Sequence, residues 1–117
     1  MDNPYVNCIA HPTGRLLGQR EPMDLDIAAV IKHAGQTHTA LEINANPWRL
    51  DLKDVHVRLA IEAGVKLAIG TDAHSVEGLA AMGFGITTAG RGWATKGDIL
   101  NAMPVAKIRQ WVRSKRS

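Results

Sequence analysis

The chain has 117 residues, the length of one small domain, and its 45% hydrophobic and 21% charged residues are a globular composition. Its formal net charge of +3 conceals a basic end, because residues 107–117 carry five cations and no acid; this pattern suits a helix C-terminus and also attracts phosphate. No apolar run reaches the ~18 residues that span a bilayer, no secretory signal is evident, and Cys8 is the single cysteine. We therefore expect a cytoplasmic protein with no membrane partner.

Short apolar runs alternate with amphipathic stretches along the chain. In chain order we expect a strand over residues 5–10, a helix over 24–36 with Asp24 as its N-cap, a strand over 39–43 and a helix from Asp51 to a stop at Gly64. A strand over 65–69, a short helix over 75–82, a fourth strand over 84–88 and an amphipathic helix over 105–115 follow. Two side chains are predicted to pack in the core, those of Cys8 and Trp111.

Strands that alternate with helices at this spacing predict an α/β fold whose parallel strands are joined by crossover helices. In the second and third strands one face is apolar, and the other is small and then polar towards the strand end. This asymmetry favours a barrel interior over an open sheet, which carries apolar residues on both faces. Because a complete barrel needs roughly 200 residues or more, residues 1–117 are expected to form a single partial barrel domain.

The first candidate site is the segment 70–74, which follows the third predicted strand. The Asp72 carboxylate and the His74 imidazole lie two residues apart just beyond a strand end, where both can bind one cation. Oxygen and nitrogen ligands of this kind suit zinc, manganese or iron. The alternative is a turn in which Asp72 accepts hydrogen bonds from local backbone N–H groups.

Two further polar segments follow the first and second predicted strands. His11 ends the first strand, and the planar guanidinium of Arg15 can hold a phosphate; the alternative is a plain loop with a surface histidine. Glu42 lies in the second strand, where burial would require a cation or several donors near its carboxylate. Its alternative partners are Arg49 or a cluster of backbone groups.

Together, three segments resemble the PHP (polymerase and histidinol phosphatase) domain, and most closely the C-terminal PHP domain of bacterial family X DNA polymerases. In chain order they are residues 9–15 (IAHPTGR), 41–44 (LEIN) and 71–74 (TDAH). Residues 46–52 (NPWRLDL) and 91–93 (RGW) also look like that subfamily. The resemblance covers nearly the whole chain.

The resemblance implies a distorted (β/α)7 barrel that holds a cluster of divalent metal ions (manganese, zinc or iron) and hydrolyses phosphoesters. In this subfamily the implied activity is a 3′-5′ exonuclease that trims and repairs DNA ends. Three residues fall on metal-ligand positions of the family, and no catalytic residue beyond the ligands is assigned: His11, Asp72 and His74. The candidates for substrate binding are Arg15, Arg49 and Asn44, and the candidate for supporting the ligands is Glu42.

The sequence also departs from the family pattern. The family has an early H-x-H pair and further ligands that find no match here, and Gly90 stands where a basic residue would precede the RGW sequence. We therefore interpret the chain as the C-terminal βα units of a PHP domain, without the polymerase region, whose partner in the full-length protein is a DNA end. The alternatives are a non-catalytic PHP piece, with self-association through open barrel edges, and a small-molecule phosphatase of the histidinol-phosphatase type.

Overall fold

Three parallel strands and four α-helices make up the fold of the described residues. The computed structural model describes residues 1–21 and 25–116, and its strands, in the order β1-β2-β3, are β1 (Cys8–Ile9), β2 (Ala40–Asn44) and β3 (Leu67–Gly70). The helices are α1 (Ile27–Gln36), α2 (Asp54–Glu62), α3 (Met82–Arg91) and α4 (Val105–Arg116), and the short helix expected at 75–82 is a 3₁₀ turn over Glu77–Ala81. The predicted α/β class with parallel strands is confirmed, and the described residues form an open sheet rather than a closed barrel. No helix in these two ranges is long and apolar enough to cross a membrane.

The core lies on the face of the sheet that the alternation predicts to be apolar. Parallel pairing sets Leu41 beside Leu67 and Ile43 beside Ile69, and all four side chains are buried. Fully burying one such side chain contributes about 1.5–3 kcal/mol, so these residues hold the helices against this face. Their helical neighbours in the core are Ile31, Ala34, Val57, Ala60 and Ala89.

The opposite face of the sheet is only partly covered. Cys8 on β1 is exposed, so the prediction that it is a core residue is wrong. The reason is that β1 has two residues and lies at the sheet edge, away from the helices packed on Leu41. The pKa of the Cys8 thiol is nevertheless raised to about 11, because its sulfur is partly buried and the Glu42 carboxylate is nearby. The thiol is therefore protonated at neutral pH.

Helices α1 and α2 both begin later than the sequence pattern predicts. α1 starts after Asp26, whose carboxylate accepts a backbone hydrogen bond at 3.1 Å; the predicted cap, Asp24, lies outside the described residues. α2 starts at Asp54 rather than at Asp51, because the Asp51 carboxylate bonds to another loop. It ends as predicted, with Gly64 at φ 75° just past the last turn.

The predicted fourth strand is wrong, since residues 84–88 lie inside α3. Gly85 and Ala89 are four residues apart and share the helix face that packs on the sheet. A Cβ atom at position 85 would lie 2.5 Å from Ile69 Cγ2 and 2.9 Å from Ala45 Cβ. Close approach of the helix therefore requires glycine, and this residue's low helix propensity concealed the helix in the sequence.

The two edges of the sheet differ. On the outer side of β3, Leu67 forms a parallel bridge with Ile99. The side chain of Asn101 replaces a further strand: Oδ1 accepts a hydrogen bond from Ile69 N at 2.7 Å, and Nδ2 donates to Ile69 O at 3.0 Å. The outer side of β1 pairs with no other strand among the described residues. The open edge expected from the sequence is therefore found at β1, whereas β3 is covered.

Helix α4 lies outside the core, and none of its described residues is buried. Trp111, predicted to pack in the core, instead lies against His38 with ring centroids 4.7 Å apart. The basic end of the chain is not simply a solvated helix face. Lys115 Nζ donates hydrogen bonds to the carbonyl oxygens of Met1 and Val6, at 2.8 and 2.5 Å, and so ties α4 to the first residues of the chain.

Candidate functional site

The polar residues selected from the sequence lie together at the carboxyl ends of the three strands. His11 follows β1, Glu42 and Asn44 belong to β2, and Asp72 and His74 follow β3. His11 N donates a hydrogen bond to Glu42 Oε1 at 2.9 Å. Asn44 Nδ2 approaches Asp72 Oδ2 at 3.5 Å. A parallel sheet places its carboxyl ends at one edge, and here that edge gathers residues from three separate segments.

Glu42 extends across the uncovered face of the sheet from β2 towards β3. Its carboxylate lies against Gly70, where a Cβ atom would be 2.5 Å from Glu42 Oε2. Glycine at position 70 therefore leaves the room that this carboxylate occupies. Of the partners considered for Glu42, the structure shows a backbone group, His11 N, rather than the Arg49 side chain. Glu42 thus holds the loop after β1 to the neighbouring strand.

Asp72 is held loosely by one cation and one amide. Arg49 Nε lies 3.5 Å from Asp72 Oδ2, the oxygen that Asn44 also approaches, and both distances are at the long limit for a hydrogen bond. The backbone of Asp72 has φ 53° and that of His11 has φ 28°. Left-handed conformations of residues other than glycine cost of order 1–3 kcal/mol and cluster at functional sites. Two of the three predicted ligands therefore have a backbone conformation typical of such sites.

The imidazole of His74 has one nitrogen fixed by the backbone. Its Nδ1 lies 2.7 Å from the carbonyl oxygen of Asp72, and because a carbonyl only accepts hydrogen bonds, Nδ1 carries the proton. In the neutral ring Nε2 then has the free lone pair. Metal-binding histidines adopt this arrangement, in which a carbonyl fixes the tautomer of the ring. His74 is thus suited to bind a metal ion through Nε2.

Asp51, which the sequence predicts as a helix start rather than as a site residue, organises the loop that carries His11. Asp51 is 0% exposed, and its Oδ2 accepts hydrogen bonds from Thr13 N and Gly14 N, each at 2.9 Å. Gly14, at φ 69°, also donates to the His11 carbonyl at 2.9 Å. In the sequence Asp51 is an acid between two leucines, a pattern that also fits a helix start.

Arg15, a predicted phosphate-binding residue, joins two loops. Its Nε donates to Arg49 O at 2.8 Å, and its Nη2 donates to Leu50 O. In the other direction, Arg49 Nη1 donates a hydrogen bond to Arg15 O at 3.4 Å. The Arg15 guanidinium is therefore fixed by the backbone, and of the two arginines it is Arg49 that contacts a predicted ligand. Substrate binding by either residue stays a prediction.

A cavity of about 180 Å³ adjoins the His11 loop, and Thr13, Asp51 and His56 are among its lining residues. One buried atom of each has no hydrogen-bond partner among the described residues: Thr13 Oγ1, Asp51 Oδ1 and His56 Nδ1. Burial and the nearby charge of Lys53 lower the pKa of His56, so its imidazole is neutral at pH 7. Buried polar atoms that face a cavity of this size are normally satisfied by ordered water. We therefore expect water between the loop and α2.

The donors at this edge of the sheet, carboxylates and imidazoles, are of the types that bind zinc, manganese and iron. Among residues 1–21 and 25–116, however, no group of three or more His, Cys, Asp or Glu side chains could hold one metal ion. The described residues therefore have donor types that can bind a metal ion but do not assemble a metal centre by themselves. The assignment of His11, Asp72 and His74 as ligands therefore stays a prediction.

A comparison with curated proteins finds a relative that agrees with the resemblance of these motifs to the bacterial DNA polymerases of family X. The relative is the DNA polymerase/3′-5′ exonuclease PolX of Bacillus subtilis (strain 168), to which the chain is 45% identical over 113 residues, or 97% of its length. The match covers 20% of that relative, so the chain spans about a fifth of the relative's length. No family model matches the chain.

Proposed function

We propose that this chain contributes metal ligands and phosphate-binding groups to a PHP-type phosphoesterase that hydrolyses phosphodiester bonds at DNA 3′ ends. The observation that carries the proposal is the meeting of the three motif segments at one edge of a parallel sheet. The 45% identity to a protein named a DNA polymerase/3′-5′ exonuclease supports the choice of DNA as substrate. The activity belongs to a protein in which this segment is combined with the remaining ligands.

Arg49 has the position to bind a phosphate oxygen. Its 3.5 Å separation from Asp72 and the 3.4 Å contact of its Nη1 with Arg15 O are both long, so an incoming anion can compete with these partners for the guanidinium. A cation fixed beside the reacting phosphate stabilises the charge that develops in the transition state. Asn44, which contacts the same carboxylate, orients Asp72 and offers an amide donor beside it.

The geometry at the strand ends supports the proposed ligand roles. His74 offers Nε2 because its Nδ1 is bound to the Asp72 carbonyl, and Asp72 offers a carboxylate that is 36% exposed. Glu42 and Asp51 support the ligands by fixing the His11 loop through backbone N–H groups. The chemistry that bound divalent cations supply at such sites is polarisation of a phosphoryl oxygen and a lowered pKa of water.

The metal content of the protein tests the ligand assignment. In a protein that carries the whole domain, elemental mass spectrometry after gel filtration with manganese, zinc or iron is expected to find less metal bound to the Asp72→Ala variant than to the wild type. The loss follows from removing a charged ligand from the donor set. Asp2→Ala is the matched control, because Asp2 is an exposed acid whose contact is with His33. Equal metal in wild type and Asp72→Ala, or none in either, would contradict the assignment.

Hydrolysis of DNA ends tests the function in a protein that carries the whole domain. Asp72→Ala, introduced into such a protein, is expected to lower the rate on a 3′-recessed duplex by more than about 100-fold, since even residues that only support metal ligands cost 10–100-fold. The rate on a phosphate monoester, measured in parallel, separates this function from a histidinol-phosphatase type. An unchanged rate on the duplex would exclude Asp72 from the reaction.

Two observations favour the second candidate, a non-catalytic piece. The described residues lack a three-ligand group, and β1 leaves one edge of the sheet without a strand. Edge strands of this kind associate with other strands, so self-association of the chain at β1 is part of this alternative. Sedimentation of the purified chain as a concentration-dependent dimer, together with absence of bound metal, would favour this alternative over the enzyme.

A further inference from the structure

Trp48 lies on the loop between β2 and α2, and the residue is 63% exposed. The backbone on which it stands is fixed on both sides. Trp48 N donates to Asn46 Oδ1 at 2.9 Å, and Trp48 O accepts from Leu17 N at 2.6 Å. Leaving a large aromatic ring in water forgoes hydrophobic stabilisation, while the fixed backbone reduces the entropy lost when a ligand binds. An exposed ring on a rigid loop therefore indicates a contact surface.

The same ring borders a cavity that reaches the candidate site. The cavity has a volume of about 300 Å³, and its lining residues are Leu16, Gln19, Asn46, Trp48, Arg49 and Asp72. Leu16 and Trp48 give it apolar surface, and Gln19 and Asn46 give it amide groups. Small-molecule sites begin at about this size and combine an apolar wall with a few polar groups. Arg49 and Asp72 are thus shared between this cavity and the carboxyl edge of the sheet.

We propose that Trp48 is the stacking platform for the 3′-terminal base of a DNA strand. The inference rests on the proposed function, in which a phosphate of that strand lies beside Arg49 and Asp72. A base attached to the adjoining nucleotide then reaches the shared cavity, where its face stacks on the indole ring. Stacking tolerates every base because each base has a π-face. Substrates that have a base at the 3′ end are thereby favoured over abasic ends.

The two other tryptophans, Trp93 and Trp111, do not border the cavity that Trp48 lines. Trp93 is 72% exposed, but its ring lies under the Arg58 guanidinium, 4.9 Å from the ring centroid. Trp111 lies against His38. Neither is among the residues that line the shared cavity. Trp93 is therefore a matched control, since its replacement also removes an exposed indole and leaves the candidate site unchanged.

Binding of two single-stranded oligonucleotides to a protein that carries the whole domain tests the proposal. They are identical except that one ends in an abasic 3′ nucleotide, and a phosphorothioate at the terminal linkage slows hydrolysis. Fluorescence anisotropy with manganese present is expected to show about 10-fold tighter binding of the oligonucleotide with a terminal base, the effect of one stacked base. Trp48→Ala is expected to abolish this preference, whereas Trp48→Phe and Trp93→Ala retain most or all of it.

The outcomes separate this inference from the proposed function. Equal binding of both oligonucleotides by the wild type, no detectable binding of either, or a preference that survives in Trp48→Ala would each overturn the stacking role. End hydrolysis by the full-domain protein, measured beside the binding, reports on the function alone. If the full-domain protein hydrolyses DNA ends but shows no preference for a terminal base, the stacking role of Trp48 is wrong and the proposed function stands. If it shows a Trp48-dependent preference but no hydrolysis, the stacking role stands and the proposed function is wrong.

Discussion

Replacing Asp51 with alanine is expected to lower the free energy of unfolding by about 2–5 kcal/mol. The change removes a fully buried carboxylate that accepts hydrogen bonds from Thr13 N and Gly14 N. A buried donor left without a partner costs about 1–3 kcal/mol, and here two donors lose theirs. The measurement is a urea unfolding curve, with amide hydrogen exchange at Thr13 and Gly14 as the local readout.

Asp51→Asn is the control for this change. The amide oxygen of asparagine still accepts from both backbone N–H groups, so the loss is expected to be smaller than for alanine. Exchange at Thr13 and Gly14 should then stay slow in Asp51→Asn and become fast in Asp51→Ala. If alanine costs less than about 1 kcal/mol, below the cost of even one unpaired donor, the carboxylate does not hold the His11 loop.

Replacing Gly85 with alanine is expected to destabilise the protein by about 1–3 kcal/mol through overpacking. The new methyl group would lie 2.5 Å from Ile69 Cγ2 and 2.9 Å from Ala45 Cβ, which forces α3 away from the sheet. Replacing Gly90 with alanine is instead expected to stabilise the protein. A Cβ atom there meets nothing within 4 Å, and alanine in a helix is stabilising by about 0.5 kcal/mol relative to glycine.

Because the two variants are expected to change stability in opposite directions, comparing them tests whether α3 packs on the sheet at Gly85. Both remove one glycine from the same helix, so the helix propensity gained is similar, and the difference between them reports the contact with the sheet. Urea midpoints of the wild type and the two variants give this difference directly. If Gly85→Ala is as stable as Gly90→Ala, α3 does not pack on Ile69 in the way described.

The sheet was predictable from local pattern, because the alternation in β2 and β3 follows from their position between covered and uncovered faces. In β3 burial alternates along the strand; in β2 Leu41 and Ile43 are buried and Glu42 is half-buried, while Ala40 and Asn44 on the face of Glu42 are buried as well. α3 was not predictable in the same way. Its sequence carries glycines that a strand also disfavours, and its helical state depends on packing against Ile69, a contact that no window of local sequence contains.

The candidate site, like the fold, was predictable from the sequence only in part. Residues at strand ends, such as His11 and Asp72, follow from the topology, since a parallel sheet gathers its carboxyl ends. The role of Asp51 could not be predicted from the sequence, because it depends on two backbone N–H groups that are 37 and 38 residues away. An acid between two leucines fits a helix start as well as a buried acceptor, and only the loop conformation decides between them.

The bond from Lys115 to Met1 has a consequence for the order in which the chain acquires structure. Its two partners are separated by 114 positions. During synthesis the residues around Met1 therefore leave the ribosome well before the lysine that binds them. Residues ahead of β1 have no ammonium to bind until α4 has emerged, whereas the neighbours β2 and β3 can pair much earlier.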